Sequence, residues 1–440
     1  MKYAETIADI PNAFALEALE TEEDLERFYY DGTMPVRTGD PSESPIQRLY
    51  MACKNPYGHD VFLLLGHRGC GKSTELNEMS LRLKKEGYPV TIVYCTDALD
   101  TSRPRYTDLL IHMGNALIRL ADEYHCALDA KTLKSIQDFW ADIERTKTIT
   151  DGSVAEAEAS ISAETPEILL PIVKLFAKVT ANLTSSEQNQ TIYRERIDRR
   201  SKDWIEALDA VANQIAAQTG GHKPIVIFED LEKLDPETVW TIFFEYARPL
   251  SGVSFPVIYT FPIALFYQPK FFSLDGPFEP ETFPMIKLEE SDGTPCQLGY
   301  DTIMEILKRR VDRDLFEPEA LDLLIRKTGG SLRDLFQVIN WASFRAYTRG
   351  SEKIQMSDAK RALVRMEGYL TRMLEEKQYG ALATIYQNHE KIGDREIMLE
   401  LLQAHAVLEY NGKRWHNVHP LVADFLKRQG AIQERQGVIQ

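Results

Sequence analysis

Cysteine, long apolar runs and net positive charge are all scarce in this 440-residue sequence. Its five cysteines, Cys53, Cys70, Cys95, Cys126 and Cys296, are odd in number and scattered, so they form neither a metal-ligand spacing nor a disulfide framework. A reducing cytoplasm is the expected setting. No stretch reaches the about 18 uninterrupted apolar residues of a membrane helix, and Met1 to Pro11 carries early acids without the apolar core of a signal peptide. Secretion and membrane spanning are therefore not expected. The net charge of −16 repels polyanions on average, so nucleic-acid binding needs a local basic patch. From Gly380 onward 7 bases are offset by 7 acids, and the cluster Arg194, Arg196, Arg199, Arg200 and Lys202 is interleaved with Glu195 and Asp198. This pattern favours a protein partner over DNA, which stays open.

What is present belongs to a folded chain. Hydrophobic residues make up 44% and charged residues 27%, the ordinary globular range, and the length suits about two or three domains. Residues 1–59, rich in proline, glycine and acids, read as a lead-in packed on the core. From Val61 to Leu65 a short apolar run fits a strand buried on both faces. A glycine-rich turn follows, then Leu76, Met79 and Leu83 at helical spacing, a stop at Gly87, and a second apolar run from Val90 to Tyr94.

Further apolar runs, Ile225 to Phe228 and Val257 to Thr260, flank a helical stretch around Trp240 to Tyr246. Strands alternating with helices predict a parallel sheet with helices on both faces, spanning 60–290 with an inserted segment at about 100–205. Within the insert, the alternation from Ala155 to Glu164 and that of Val179, Ala181 and Leu183 read as half-buried strands. Ile168 to Phe176 between them reads as the apolar tip of a small hairpin, either a packed sub-core or a docking surface.

Pro284 to Leu288 reads as another strand. Residues 291–366 read as a helical lid broken at Gly329-Gly330 and Gly350. In 367–440, helical patterns near Ala381 to Tyr386 and Glu396 to Gln403 precede two strand-like runs around Asn411-Gly412. That dipeptide is a strong hairpin signal because both central turn residues take positive φ. Helices before a hairpin predict a winged-helix-like module.

The chemistry is carried first by Gly66-His67-Arg68-Gly69-Cys70-Gly71-Lys72-Ser73-Thr74, a full G-x-x-x-x-G-K-[ST] pattern set between a predicted strand and a predicted helix. Its glycines let backbone N–H groups curl around phosphate oxygens, and the helix N-terminus favours negative charge. The pattern predicts ATP binding, with Lys72 on the β- and γ-phosphates and Ser73 on Mg²⁺. Cys70 serves as a small spacer in the loop, and His67, His416 and His419 have no matching metal partners.

The partner site is Ile225 to Asp230, an apolar strand that delivers two carboxylates to the phosphate end of the sheet. The order Glu229 then Asp230 inverts the usual one. Glu229 is assigned to the metal and Asp230 to the attacking water, with Glu232 and Asp235 as weaker candidates; Asp235 is explained more simply as a helix N-cap. Thr260 closes the third strand, where a hydroxyl can orient water or meet the γ-phosphate, although threonine is common at strand ends. Arg333 opens a helix capped by Ser331, from which its guanidinium can reach back from the lid to the nucleotide.

Together the phosphate loop, the segment from Ile225 to Leu234, Thr260 and the Gly-Gly-Ser-Leu-Arg stretch resemble the AAA+ and STAND groups of P-loop ATPases. The resemblance covers about residues 45–366. It is nearest to bacterial ATPases with a Gly-His-Arg-Gly-x-Gly-Lys-Ser-Thr loop, and is more distantly similar to KAP-type ATPases and archaeal origin-recognition initiators. That likeness implies Thr260 as sensor 1 and Arg333 as sensor 2. Phe261 to Thr282 departs from it by containing no arginine, only Lys270, where ring-forming motors carry an arginine finger. A slow switch-like ATPase that controls an ATP-dependent homo-oligomer or a protein effector is expected, and the resemblance to STAND proteins implies signalling of the kind used in prokaryotic antiviral defence. The alternatives are a DNA-acting initiator or loader, and a nucleotide-binding scaffold without hydrolysis.

Overall fold

The computed structural model describes residues 1–55, 60–99, 103–151, 172–176, 178–179, 187–274, 276–390, 392–410 and 415–433. Seven strands are present among them: β1 (Val61–Gly66), β2 (Val90–Tyr94), β3 (Ile225–Glu229), β4 (Val257–Pro262), β5 (Glu279–Phe283), β6 (Val407–Tyr410) and β7 (Trp415–Val418). The helices used below are α1 (Glu22–Phe28), α2 (Pro45–Lys54), α3 (Lys72–Lys85), α4 (Tyr106–Glu123), α5 (Ala130–Asp151), α6 (Glu187–Arg199) and α7 (Ser201–Gln218). They continue with α8 (Gln297–Lys308), α9 (Pro318–Lys327), α10 (Leu332–Thr348), α11 (Met356–Thr371), α12 (Glu376–Asn388), α13 (Arg395–Gln403) and α14 (Pro420–Arg428).

The first five strands form one parallel sheet in the order β2-β3-β4-β1-β5. β1 and β4 are buried along their whole length, which is why both read as unbroken apolar runs. Alternate side chains of β1 serve opposite faces. Val61, Leu63 and Leu65 enter the core shared with α4 and α7, whereas Phe62 and Leu64 join α2 and α3. This is the P-loop ATPase fold expected from the sequence, with helices on both faces.

The expected strand at Pro284 to Leu288 is displaced. The strand here is β5, five residues earlier and at one edge of the sheet, and its Glu-Pro-Glu-Thr-Phe sequence hides it because only Glu281 and Phe283 are buried, which leaves neither an unbroken apolar run nor an apolar alternation. Met285 instead bridges to Tyr410 of β6, so the chain turns there toward the C-terminal segment.

In the insert, α4 to α7 pack around Trp140, Trp204, Phe139, Tyr193 and Phe176. A buried two-pronged pair from Arg194 to Asp108, at 2.9 and 2.7 Å, ties α6 to α4. The alternation from Ala155 to Glu164 lies outside the described residues, as do Ala181 and Leu183. Of the expected tip, residues 168–171 lie outside the described residues, and 172–176 are helical, with Ile172 and Phe176 four apart and seating the same face in this core. They are a packed sub-core.

Beyond the sheet, α8 to α11 form the helical lid. Gly329 and Gly330 take positive φ at the break before α10, and Ser331 caps α10 by accepting from the Asp334 N–H. The C-terminal domain consists of α12, α13, the antiparallel pair β6-β7 and α14. The turn at Asn411-Gly412 lies outside the described residues. No described helix is long and apolar enough to cross a membrane.

Candidate functional site

The loop after β1 turns sharply because Gly69 and Gly71 take φ of +80° and +103°, conformations that side chains with a Cβ resist. Gly69 is also crowded: a Cβ there would stand 2.4 Å from the Arg333 Cβ. The loop therefore meets the lid at close quarters, and the Arg333 N–H donates to the Gly69 carbonyl at 3.3 Å.

Lys72, at the start of α3, is buried and curls back on the loop, donating to the Gly66 and His67 carbonyls at 3.2 and 3.0 Å. Its ammonium also lies 3.5 Å from the Glu232 carboxylate. Burial alone lowers its pKa, but Cys70, Glu232 and Glu229 outweigh burial and raise it, so the cation persists.

The three acids of the β3 end have separate environments. Glu229 is fully buried, and neither of its oxygens makes a hydrogen bond of normal geometry. Burial first and Glu232 second push its carboxyl up to about 8, against Ser73 and Lys72. Asp230 sits at φ 71°, where its Oδ2 accepts from the Thr96 hydroxyl at 2.6 Å and its Oδ1 pairs with Lys233. Glu232 is raised by burial, but Lys72 and the Thr260 hydroxyl prevail and hold it below the usual carboxylate range. Thr260 also accepts from the Leu231 N–H at 3.2 Å, joining β4 to the turn after β3.

These groups border a cavity of about 480 Å³, large enough for a nucleotide. Besides the strand ends at Tyr94 and Glu229, its walls come from Leu16 and Tyr30 of the lead-in, Arg68 and Ser73 of the loop, and Arg310 and Phe336 of the lid. The Nε of Arg333 has no hydrogen-bond partner, and burial, then Arg68, lowers the pKa of its guanidinium. A buried carboxylate with unpaired oxygens beside Ser73, a glycine cradle and an arginine with a free Nε suit a triphosphate and its Mg²⁺. Among the described residues no three His, Cys, Asp or Glu side chains cluster to hold a metal unaided, so phosphate oxygens would complete the coordination.

Sequence reasoning missed the lead-in's part in the site. Arg37 is 1% exposed and sits beneath the loop, donating to the Cys70 and Pro284 carbonyls at 2.7 and 2.5 Å with its guanidinium 4.4 Å over the Phe283 ring. Tyr29 and Thr33 donate to Glu75 on α3 at 2.9 and 3.1 Å. Nothing local in Pro35-Val36-Arg37 marks such a role, since it depends on where β5 ends.

The C-terminal domain also reaches the site. The His67 Nε2 accepts from the Glu409 N–H of β6 at 2.9 Å. The next residue, Tyr410, donates its hydroxyl at 2.6 Å to the Gly329 carbonyl in the turn that places Arg333. His67 is held neutral well below its ordinary pKa, by burial first and then by His405, Lys72 and His416.

No family model and no curated protein matches this chain. Among solved structures it is similar to the Walker-type ATPase PABY2304 of Pyrococcus abyssi, at 15% identity over 94% of this chain and 99% of that one, with a TM-score of 0.44. It is similar to Cdc6p from Pyrobaculum aerophilum, at 12% identity over 95% and 98% with a TM-score of 0.40. The ORC2 protein of Aeropyrum pernix, solved as ADPNP-ADP complexes, is similar at 12% identity over 88% and 94% with a TM-score of 0.38. By its own sheet order and phosphate loop the chain has the P-loop ATPase fold, and its likeness to these solved structures is distant.

Proposed function

We propose that this chain is an ATP-binding and hydrolysing switch in which the nucleotide sets the position of the C-terminal domain and, through it, an oligomer or a protein effector. The observation that carries this reading is the double link from β6 to the site: Glu409 to His67 in the phosphate loop, and Tyr410 to the turn before Arg333. A ligand that moves the loop or draws in Arg333 has different contacts with the two positions of the hairpin, which is the condition for a population shift.

In the bound state Lys72 exchanges the Gly66 and His67 carbonyls for phosphate oxygens, so the loop relaxes beneath His67. Arg333 turns its unpaired Nε to the same phosphates. Mg²⁺, held by Ser73 and Glu229, would neutralise charge on the β- and γ-phosphates. Asp230 polarises the attacking water after leaving Thr96 and Lys233, and this restraint accords with slow hydrolysis.

A second reading of the acids rests on a specific contact: Glu232, not Asp230, faces Lys72 and Thr260, and so is the nearer carboxylate to the γ-phosphate position. With the C-terminal domain read as winged-helix-like, regulation of a prokaryotic defence response is the biology that we favour. Calorimetry and phosphate release test the core of the proposal. Lys72→Ala abolishes ATP binding, and Asp230→Asn keeps binding while stopping release and holding the ATP state. If Asp230→Asn hydrolyses normally and Glu232→Gln does not, the roles of the acids exchange; absence of ATP binding by the unaltered chain refutes the switch.

A further inference from the structure

The outer face of the lid carries bare positive charge. On α11, Arg361 and Arg365, with Arg372 just past its end, stand at i, i+4 and i+11, one stripe of about 16 Å along the helix. Arg365 lies over the Trp341 ring of α10, 4.3 Å from its centroid, which places that helix beside the stripe. Arg345 of α10 joins the set, and none of these four arginines forms an ion pair among the described residues. Two carboxylates on the same helix are engaged elsewhere, Asp358 by Arg349 and Glu367 by Arg428.

Large apolar side chains stand out from the same part of the lid. Phe344 is 71% exposed, Tyr369 73% and Met373 77%, with Val364 exposed between the arginines. Arginine, aromatic residues and methionine, with few acids or lysines, are the composition of a protein interface core. Duplex or single-stranded nucleic acid would also meet the arginines, but it must approach a chain of net charge −16.

The complementary charge is present in this chain. On the lead-in, Glu17, Glu20, Glu23 and Glu26 are exposed and form no ion pairs among the described residues, and Glu23 and Glu26 are one turn apart on α1. Glu17 and Glu20 also line the nucleotide cavity. We propose that the arginine stripe of the lid is the docking surface for the acidic lead-in of a second copy of this chain. The contact is head-to-tail, since each copy offers a different face, and it repeats into a ring or an open chain. Its nucleotide dependence rests on the switch reading above, because a copy seated on Glu17 and Glu20 borders the cavity; the contact itself does not.

Sedimentation velocity on the full chain, with and without Mg·ATP and at low and high salt, tests this. The unaltered chain is expected to self-associate, more weakly as salt rises. Arg361→Glu/Arg365→Glu and Glu23→Lys/Glu26→Lys should each weaken association by at least about tenfold, and an equimolar mixture of the two should restore it, because every contact is then complementary again. The mixture separates loss of charge pairing from loss of fold. Association that ignores ATP keeps the interface and refutes nucleotide control. A chain that stays monomeric in every condition overturns the proposal, as does a mixture that stays apart. Tight binding of a fluorescent single-stranded oligonucleotide that Arg361→Glu/Arg365→Glu abolishes would assign the face to nucleic acid.

Discussion

Replacing His67 by alanine removes the acceptor of the Glu409 N–H and leaves that donor buried without a partner. An orphaned buried N–H costs about 1–3 kcal/mol, so local opening of β6 should become roughly 5- to 150-fold more frequent. Amide hydrogen exchange reads this directly at 407–410. His67→Gln, which keeps an acceptor, should recover part of the protection. Acid adds a second reading of the same residue. Because burial keeps His67 neutral in the folded chain, the unfolded chain binds the proton more readily, and stability falls as pH drops below the ordinary histidine value of about 6.5. The His67 contribution is at most about 1.4 kcal/mol per pH unit, and His405, lowered chiefly by burial, adds in the same sense. The acid slope of His67→Ala should therefore be shallower than that of the unaltered chain. Unchanged protection of β6 in His67→Ala, with an unchanged acid slope, would refute the link between loop and hairpin.

Further outcomes follow from the loop's neighbours. Arg37→Met strands the Cys70 and Pro284 carbonyls and should lower stability by about 1–3 kcal/mol per orphaned acceptor in denaturant titration; Arg37→Lys should recover little, because a single ammonium cannot reproduce the fork. Gly69→Ala sets a Cβ against Arg333 at a positive φ, and should displace the lid from the loop and weaken ATP binding in calorimetry. Thr260→Val keeps the strand but takes one hydrogen-bond partner from Glu232 and leaves the Leu231 N–H without its acceptor, and should slow phosphate release more than it weakens binding.

The sheet was legible in the sequence wherever burial on both faces forces an unbroken apolar run, as in β1, β3 and β4. It was illegible at β5, where Glu279 to Phe283 is half-polar and has no alternation to read, although β2 at the other edge was legible as an apolar run. The phosphate loop was legible because its chemistry is local, nine consecutive residues on one turn. Arg37 and the His67 link were not, since each depends on residues far along the chain, Pro284 in one case and Glu409 in the other, and no periodicity encodes such pairings. The insert shows a third limit. Ile172 and Phe176 fit a helix as well as an apolar tip, and the aromatic core formed by Trp140 and Trp204 decides between them.

The central claim, that ATP moves the C-terminal domain, is tested most directly by a distance measured across it. All five cysteines are buried, so dyes placed at Glu43→Cys beside the core and Gln429→Cys beyond α14 would be the accessible labels. Energy transfer between them should shift when Mg·ATP binds, return with ADP, and stay fixed in Lys72→Ala. Transfer that does not change while calorimetry shows ATP bound would contradict the account.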